Sequence, residues 1–119
     1  LAATERAYAQ AYPERIDVLP SKPLFQHVHE ARDFAVRMAK SEAFNAQMAV
    51  GEAKLREIAA TNVARLRPDW SSDQRRDAAI YIAGGFIGLL RWWMQTGVKQ
   101  SPEHMQAAFE RITKSVLEG

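Results

Sequence analysis

The residues best suited to metal chemistry in this 119-residue chain lie within His27-Val28-His29-Glu30, with Asp33 one turn beyond His29. An imidazole and a carboxylate at that spacing would suit zinc or iron. His27 and His29, however, stand two apart and point in different directions on a helix, and no second ligand pair occurs elsewhere. A solvated helix face is the stronger reading, and no metal or cofactor is assigned. The sequence has no glycine-rich phosphate loop, no nucleophile elbow, no aspartate pair with metal spacing and no His–Ser–Asp arrangement. No catalytic residue is expected, and the chain is read as a non-enzyme.

What remains is binding chemistry. Phe25, Phe34, Met38, Phe44, Met48, Tyr81, Phe86, Trp92 and Trp93 supply more aromatic and thioether surface than close packing demands. Such side chains adapt to irregular cavities, and apolar pockets with one or two polar groups are the usual form of small-molecule sites. For any one of these residues, plain core is the simpler explanation. As a set, and taken with the family resemblance carried by residues 22–118, they predict a mostly apolar pocket between residues 24–48 and the middle of the helix that carries Tyr81, whose hydroxyl is expected to be its hydrogen-bonding group. Ligand contacts are assigned to Phe25, Phe34, Met38, Phe44, Met48, Tyr81, Phe86 and Trp93, and the expected effector is a small, mostly apolar molecule.

That helix is the stretch 78–98, AAIYIAGGFIGLLRWWMQTGV. Between Ala78 and Leu90 only Tyr81 carries a polar side-chain atom, and a helix apolar on every side is a buried one. Gly84, Gly85 and Gly88 lie inside it, each costing about 1 kcal/mol relative to alanine. Close approach of a second helix is the expected gain, with Gly84 and Gly88 on one face. A chain this short needs a partner subunit to cover the remaining side. The expected interface is a homodimer through residues 78–96 and 102–118, using Ile80, Gly84, Ile87, Gly88 and Arg91 from the central helix and Met105, Phe109, Ile112 and Val116 from the last. A transmembrane span is disfavoured, because Arg91 interrupts the apolar run and Asp73, Arg75, Arg76 and Asp77 crowd its start.

The rest of the chain must position these groups. A content of 47% hydrophobic residues suits one domain with its own core. The net charge is +2, and the basic residues are scattered rather than clustered, so this chain by itself is not a nucleic-acid surface. No cysteine and no signal peptide fit a cytoplasmic setting. Residues 1–12 read as an alanine-rich helix ended by Pro13, and the segment to Pro20 as a loop. A second helix follows Ser21 and Pro23, with Leu24, Val28, Ala31, Ala35 and Met38 inward and Phe25 and Phe34 on its flanks. Ser41 is expected to cap a third helical segment, and Gly51 leaves open whether residues 42–66 form one helix or two. Ser71-x-x-Gln74 is a capping-box spacing that opens the central helix, and Gly97 closes it. Ser101, Pro102 and Glu103 open a final helix, with Glu110 and Lys114 paired on its wet side. The expected fold is an all-α bundle of five to six helices that dimerises through the last two.

The run from Gly84 to Met94, GGFIGLLRWWM, followed by Gly97 and by Ser101-Pro102-Glu103, resembles the C-terminal region of tetracycline-repressor-type (TetR family) transcriptional regulators. The segment PLFQHVHEARDFAVRMAKS is similar to the first helices of that domain in one subgroup, and the resemblance spans residues 22–118. It implies an all-helical ligand-binding and dimerisation domain whose last two helices form a four-helix interface with a second copy. It also implies a preceding helix-turn-helix domain of about three helices. Residues 1–119 are then the effector-binding and dimerisation part, starting in the helix that connects the two, and DNA is met only through the domain missing from this chain. The alternative is a stand-alone helical interaction domain without ligand.

Overall fold

The computed structural model describes residues 17–119, and the expected helix over residues 1–12 lies outside them. Five helices follow in chain order: α1 (Ser21–Glu30), α2 (Arg32–Met38), α3 (Phe44–Leu66), α4 (Ser72–Gln95) and α5 (Pro102–Glu118). The fold is the expected all-α bundle, with no strand among the described residues. The central helix α4 packs along α3, while α5 lies against α4 and α1.

The ends of α4 follow directly from local sequence. Ser71 accepts a hydrogen bond from the Gln74 N–H at 3.1 Å, and the Gln74 side chain accepts one from the Ser71 N–H at 2.9 Å. Both halves of a capping box are therefore present. At the other end Gly97 takes φ +100°. The Val98 N–H reaches the Trp93 carbonyl at 2.8 Å and the Gly97 N–H reaches that of Met94 at 3.4 Å, the two bonds of a Schellman termination. Ser101 accepts from the His104 N–H at 3.0 Å and Pro102 takes the first helical position, so α5 begins as expected.

Three local expectations are corrected, and one left open is settled. The single helix predicted over residues 21–40 is broken at Ala31, whose φ and ψ of −100° and 32° lie outside the helical range. The break re-phases the inward face: Phe25 is fully buried rather than flanking, and Phe34 is exposed. Ser41 does not cap α3, because its hydroxyl donates to the Met38 carbonyl at 2.8 Å and so closes the preceding turn. Lys114 approaches Glu118 at 3.9 Å rather than Glu110, whose carboxylate accepts from Gln106 at 2.8 Å. Gly51, left open between a bend and a close neighbour, lies in an unbroken α3. A Cβ there would sit 3.9 Å from the Ile87 Cδ1 of α4.

The bundle is tied at its far end by Arg67, just past α3. Its guanidinium pairs with Asp69 at 2.8 Å, lies 4.3 Å from the centre of the Trp70 ring and donates to the Leu117 carbonyl near the end of α5. Hydrogen bonding to Arg67 holds the Asp69 carboxyl below its ordinary range. Its contribution is therefore present above the usual carboxylate pKa and is lost as pH falls through the lowered value.

These caps yield a comparison between serines. Ser71→Ala and Ser101→Ala are each expected to lower stability by about 1 kcal/mol. Ser41→Ala should change it by less than about 0.5 kcal/mol. Urea midpoints at unchanged m-value measure the difference.

Candidate functional site

The interior is organised by a ladder of rings. Phe86, near the middle of α4, stacks on Phe25 of α1 at a centroid distance of 5.0 Å and on Phe109 of α5 at 5.4 Å, the latter edge-on. Phe25 in turn meets the edge or face of Trp93 at 5.6 Å with planes at 79°. Tilted and edge-to-face contacts of this kind add about 0.5–1.5 kcal/mol each beyond area burial. Phe25, Phe86 and Trp93 have no exposed surface, and the Trp93 indole N–H is satisfied by the Gln100 carbonyl at 3.2 Å. Phe44 and Met48 of α3 are buried in the same cluster, and Met38 is half-buried against it.

Five of the eight residues assigned to ligand contact, Phe25, Phe44, Met48, Phe86 and Trp93, are thus brought into one core, with Met38 at its edge. Phe34 and Tyr81 are not. Phe34 is 60% and Tyr81 65% exposed. The expectation that Tyr81 supplies the hydrogen-bonding group of an inner pocket is therefore corrected. At about 100° per residue, Tyr81 lies roughly opposite Phe86 and Trp93 on the helix. In an all-apolar run the hydroxyl goes to the arc that the chain leaves uncovered, where water satisfies it.

That uncovered arc is the second feature of the molecule. Ile80, Tyr81, Gly85, Gly88 and Trp92 are exposed on α4, and Gly84 and Leu89 are half-buried. Between this arc and α5 runs an open apolar groove of about 560 Å³, floored by the three glycines and walled by Tyr81, Leu89, Phe109, Ile112 and Val116. A Cβ built on Gly84, Gly85 or Gly88 would meet nothing within 4 Å among the described residues, so none of these requires their small size.

Of the expected interface residues, Ile80, Gly84, Gly88, Phe109, Ile112 and Val116 line the groove. Ile87 and Met105 instead face inward, 5% and 2% exposed. Arg91 turns to α3, where it donates to the Asn45 side-chain carbonyl and lies 5.3 Å from the centre of the Phe44 ring. Ile87 and Arg91 sit on the boundary between the covered and uncovered arcs, and Gly51 and Asn45 of α3 draw them inward. Thr113, which sequence reading missed, is 7% exposed and lines the groove one residue from Ile112. Gly85 was also missed, although its place among the other glycines was the available signal.

No group of three or more His, Cys, Asp or Glu converges among the described residues. His27, His29 and Asp33 are all exposed. Among the described residues no helix is long and apolar enough to cross a membrane.

The two arcs differ in what they contribute to folding. Phe86→Ala is expected to destabilise by about 3–5 kcal/mol. Tyr81→Ala, measured by chemical denaturation at concentrations where the chain is monomeric, should cost less than about 0.5 kcal/mol. Equal losses would contradict the outward position of Tyr81.

No curated protein and no solved structure matches the chain. A family model does: that of a transcriptional regulator C-terminal region, of the TetR type, matches residues 21–115, from the start of α1 nearly to the end of α5. With well over half of its length matched, the chain belongs to the family of TetR-type transcriptional regulator C-terminal regions.

Proposed function

We propose that this domain is the effector-sensing and homodimerising part of a TetR-like regulator, and that α4 and α5 of two copies pack together as a four-helix interface. The observation that carries the dimer is the glycine-floored groove. Three helical glycines cost about 3 kcal/mol together relative to alanine. Among the described residues no neighbour occupies the space their missing side chains leave, so no packing gain within residues 17–119 offsets that cost. A second copy placing its own α4 against Gly84 and Gly88 gives those positions a purpose. It also removes Ile80, Tyr81, Trp92 and Ile112 from water, as an isologous interface does.

In this reading an effector is held in the aromatic and methionine interior, by Phe25, Phe44, Met48, Phe86 and Trp93. Tyr81 and Phe34 take no part in holding it. Supporting this are the family membership and the concentration of adaptable side chains in one cluster. Binding alters DNA affinity of a helix-turn-helix domain, preceding the described helices in the full protein, by favouring one of two arrangements. Sixteen basic residues interleaved with fourteen acidic ones give this chain no phosphate-binding surface of its own.

Sedimentation at micromolar concentration is expected to give a dimer. Gly88→Leu should shift it to monomer, while Gly88→Ala should weaken association and yet stabilise the monomer by up to about 1 kcal/mol. A dimer unaffected by Gly88→Leu rules out the groove as the interface. A gel shift with this chain alone at physiological salt is expected to be blank.

A further inference from the structure

We infer that α2 is a lid over the aromatic interior, hinged at Ala31 and latched by Arg32 on the Gly97 carbonyl, through which an apolar aromatic effector enters. The inference rests on the effector-sensing reading above and adds how the interior is reached.

The aromatic interior has no open mouth at its centre: Phe25, Phe86 and Trp93 are fully buried and stacked on one another. A ligand reaches them only if a covering element moves. Among the described helices, α2 is the least committed to the core. It has seven residues and buries one, Ala35, whereas α4 buries nine and α3 five. A helix this short has no stability of its own in water and persists only through tertiary contact. Phe34, its largest side chain, is turned to solvent.

Both ends of α2 permit movement as a unit. Ala31 leaves the helical range, so α2 is not a rigid continuation of α1. After Met38 the chain makes its own closed turn, in which the Ser41 N–H and hydroxyl both donate to the Met38 carbonyl. The C-terminal end of the helix therefore carries part of its hydrogen bonding with it. Among the described residues one side-chain hydrogen bond ties α2 to another part of the bundle: Arg32 Nε donates to the Gly97 carbonyl at 3.0 Å, in an exposed position.

The acceptor side of that bond is the fixed one. Gly97 belongs to the Schellman turn, and Val98 beside it is held at φ +53°, a conformation disfavoured for a β-branched residue, by burial of its side chain. Trp93 braces the same turn through Gln100. Breaking the Arg32 bond consequently frees α2 and leaves the turn in place. Behind the lid the walls are deformable, since all four methionines of the chain, Met38, Met48, Met94 and Met105, lie in or against this core. Thioether side chains repack around an incoming ring more readily than branched ones. The side chains that make up this interior are aromatic, aliphatic and thioether, which selects a ligand that is aromatic and largely without charge.

Hydrogen exchange read by mass spectrometry on the protein without ligand tests the lid. Amides of residues 32–43 should exchange faster than those in the middle of α3. Arg32→Ala should speed them about fivefold, the loss of roughly one net hydrogen bond, with α3 unchanged. The neutral dye N-phenyl-1-naphthylamine tests the entry route. It should enter about fivefold faster in Arg32→Ala, and its bound state should slow exchange over residues 24–48. If residues 32–43 exchange as slowly as α3, or ignore Arg32→Ala, the lid is overturned, while protection of 24–48 by the dye would leave the effector reading standing. If α2 responds to Arg32→Ala but the dye fails to bind or protects only 80–92 and 109–116, the interior is not an effector site and the entry role falls with it.

Discussion

Residues 78–90 of α4 have no polar face to leave in water, and the two arcs of the helix meet that constraint differently. On one arc it is covered by its own chain, with Ala79, Ala83, Phe86, Leu90, Trp93 and Met94 buried against the other helices. On the other arc the side chains have been removed: Gly84, Gly85 and Gly88 leave a trough instead of an apolar ridge. A ridge of leucines in that place would be an exposed apolar patch on any monomer. The trough exposes less apolar surface than such a ridge and, in the proposed dimer, would admit a helix of the second copy at short range. The positions of α1, α3 and α5 follow from which arc each helix covers or leaves bare.

Much of this was legible in the sequence because it rests on local chemistry. The capping box at Ser71, the glycine stop at Gly97 and the Ser101-Pro102 start are each decided by residues within one turn of the helix end, so tertiary structure had nothing to override. The bundle's element order followed from them. What was misread depends on which of several available partners a side chain takes, or on a break that no residue type announces. Ser41 looks like a cap until the Met38 carbonyl is seen within its reach. Arg91 shares a face with Gly84 by helical arithmetic, but its long side chain swings to Asn45, 46 positions away. The break at Ala31 has no glycine or proline to announce it.

Tyr81 is the instructive error, because the available signal pointed two ways. A lone hydroxyl in an apolar run suggests either a polar group inside a pocket or a residue on the wet side. Periodicity does not decide between them where every position is apolar. The bulk of the neighbours does. Residues on the tyrosine's side of α4 include Gly84, Gly85 and Gly88, whereas the opposite side holds Phe86, Leu90 and Trp93. A core is filled by large side chains at native density, so the arc of large residues is the inner one and the arc of glycines is the outer.

The two arcs are not independent, since Phe109 belongs to both. It walls the groove between α4 and α5 and also stacks on Phe86, which stacks on Phe25, which meets Trp93 next to the turn that Arg32 grips. A packed row of rings therefore joins the α2 latch to the surface on which a second copy would rest. Rings at 5.0–5.6 Å are in contact, and close-packed interiors respond to a displaced ring by shifting its neighbours rather than by compressing. Contact alone is not coupling, which needs two arrangements that a ligand distinguishes in free energy. The ladder supplies the physical continuity for such a pair of arrangements: a ring inserted beside Phe25 would press on Phe86, and Phe86 in turn touches Phe109 at the groove.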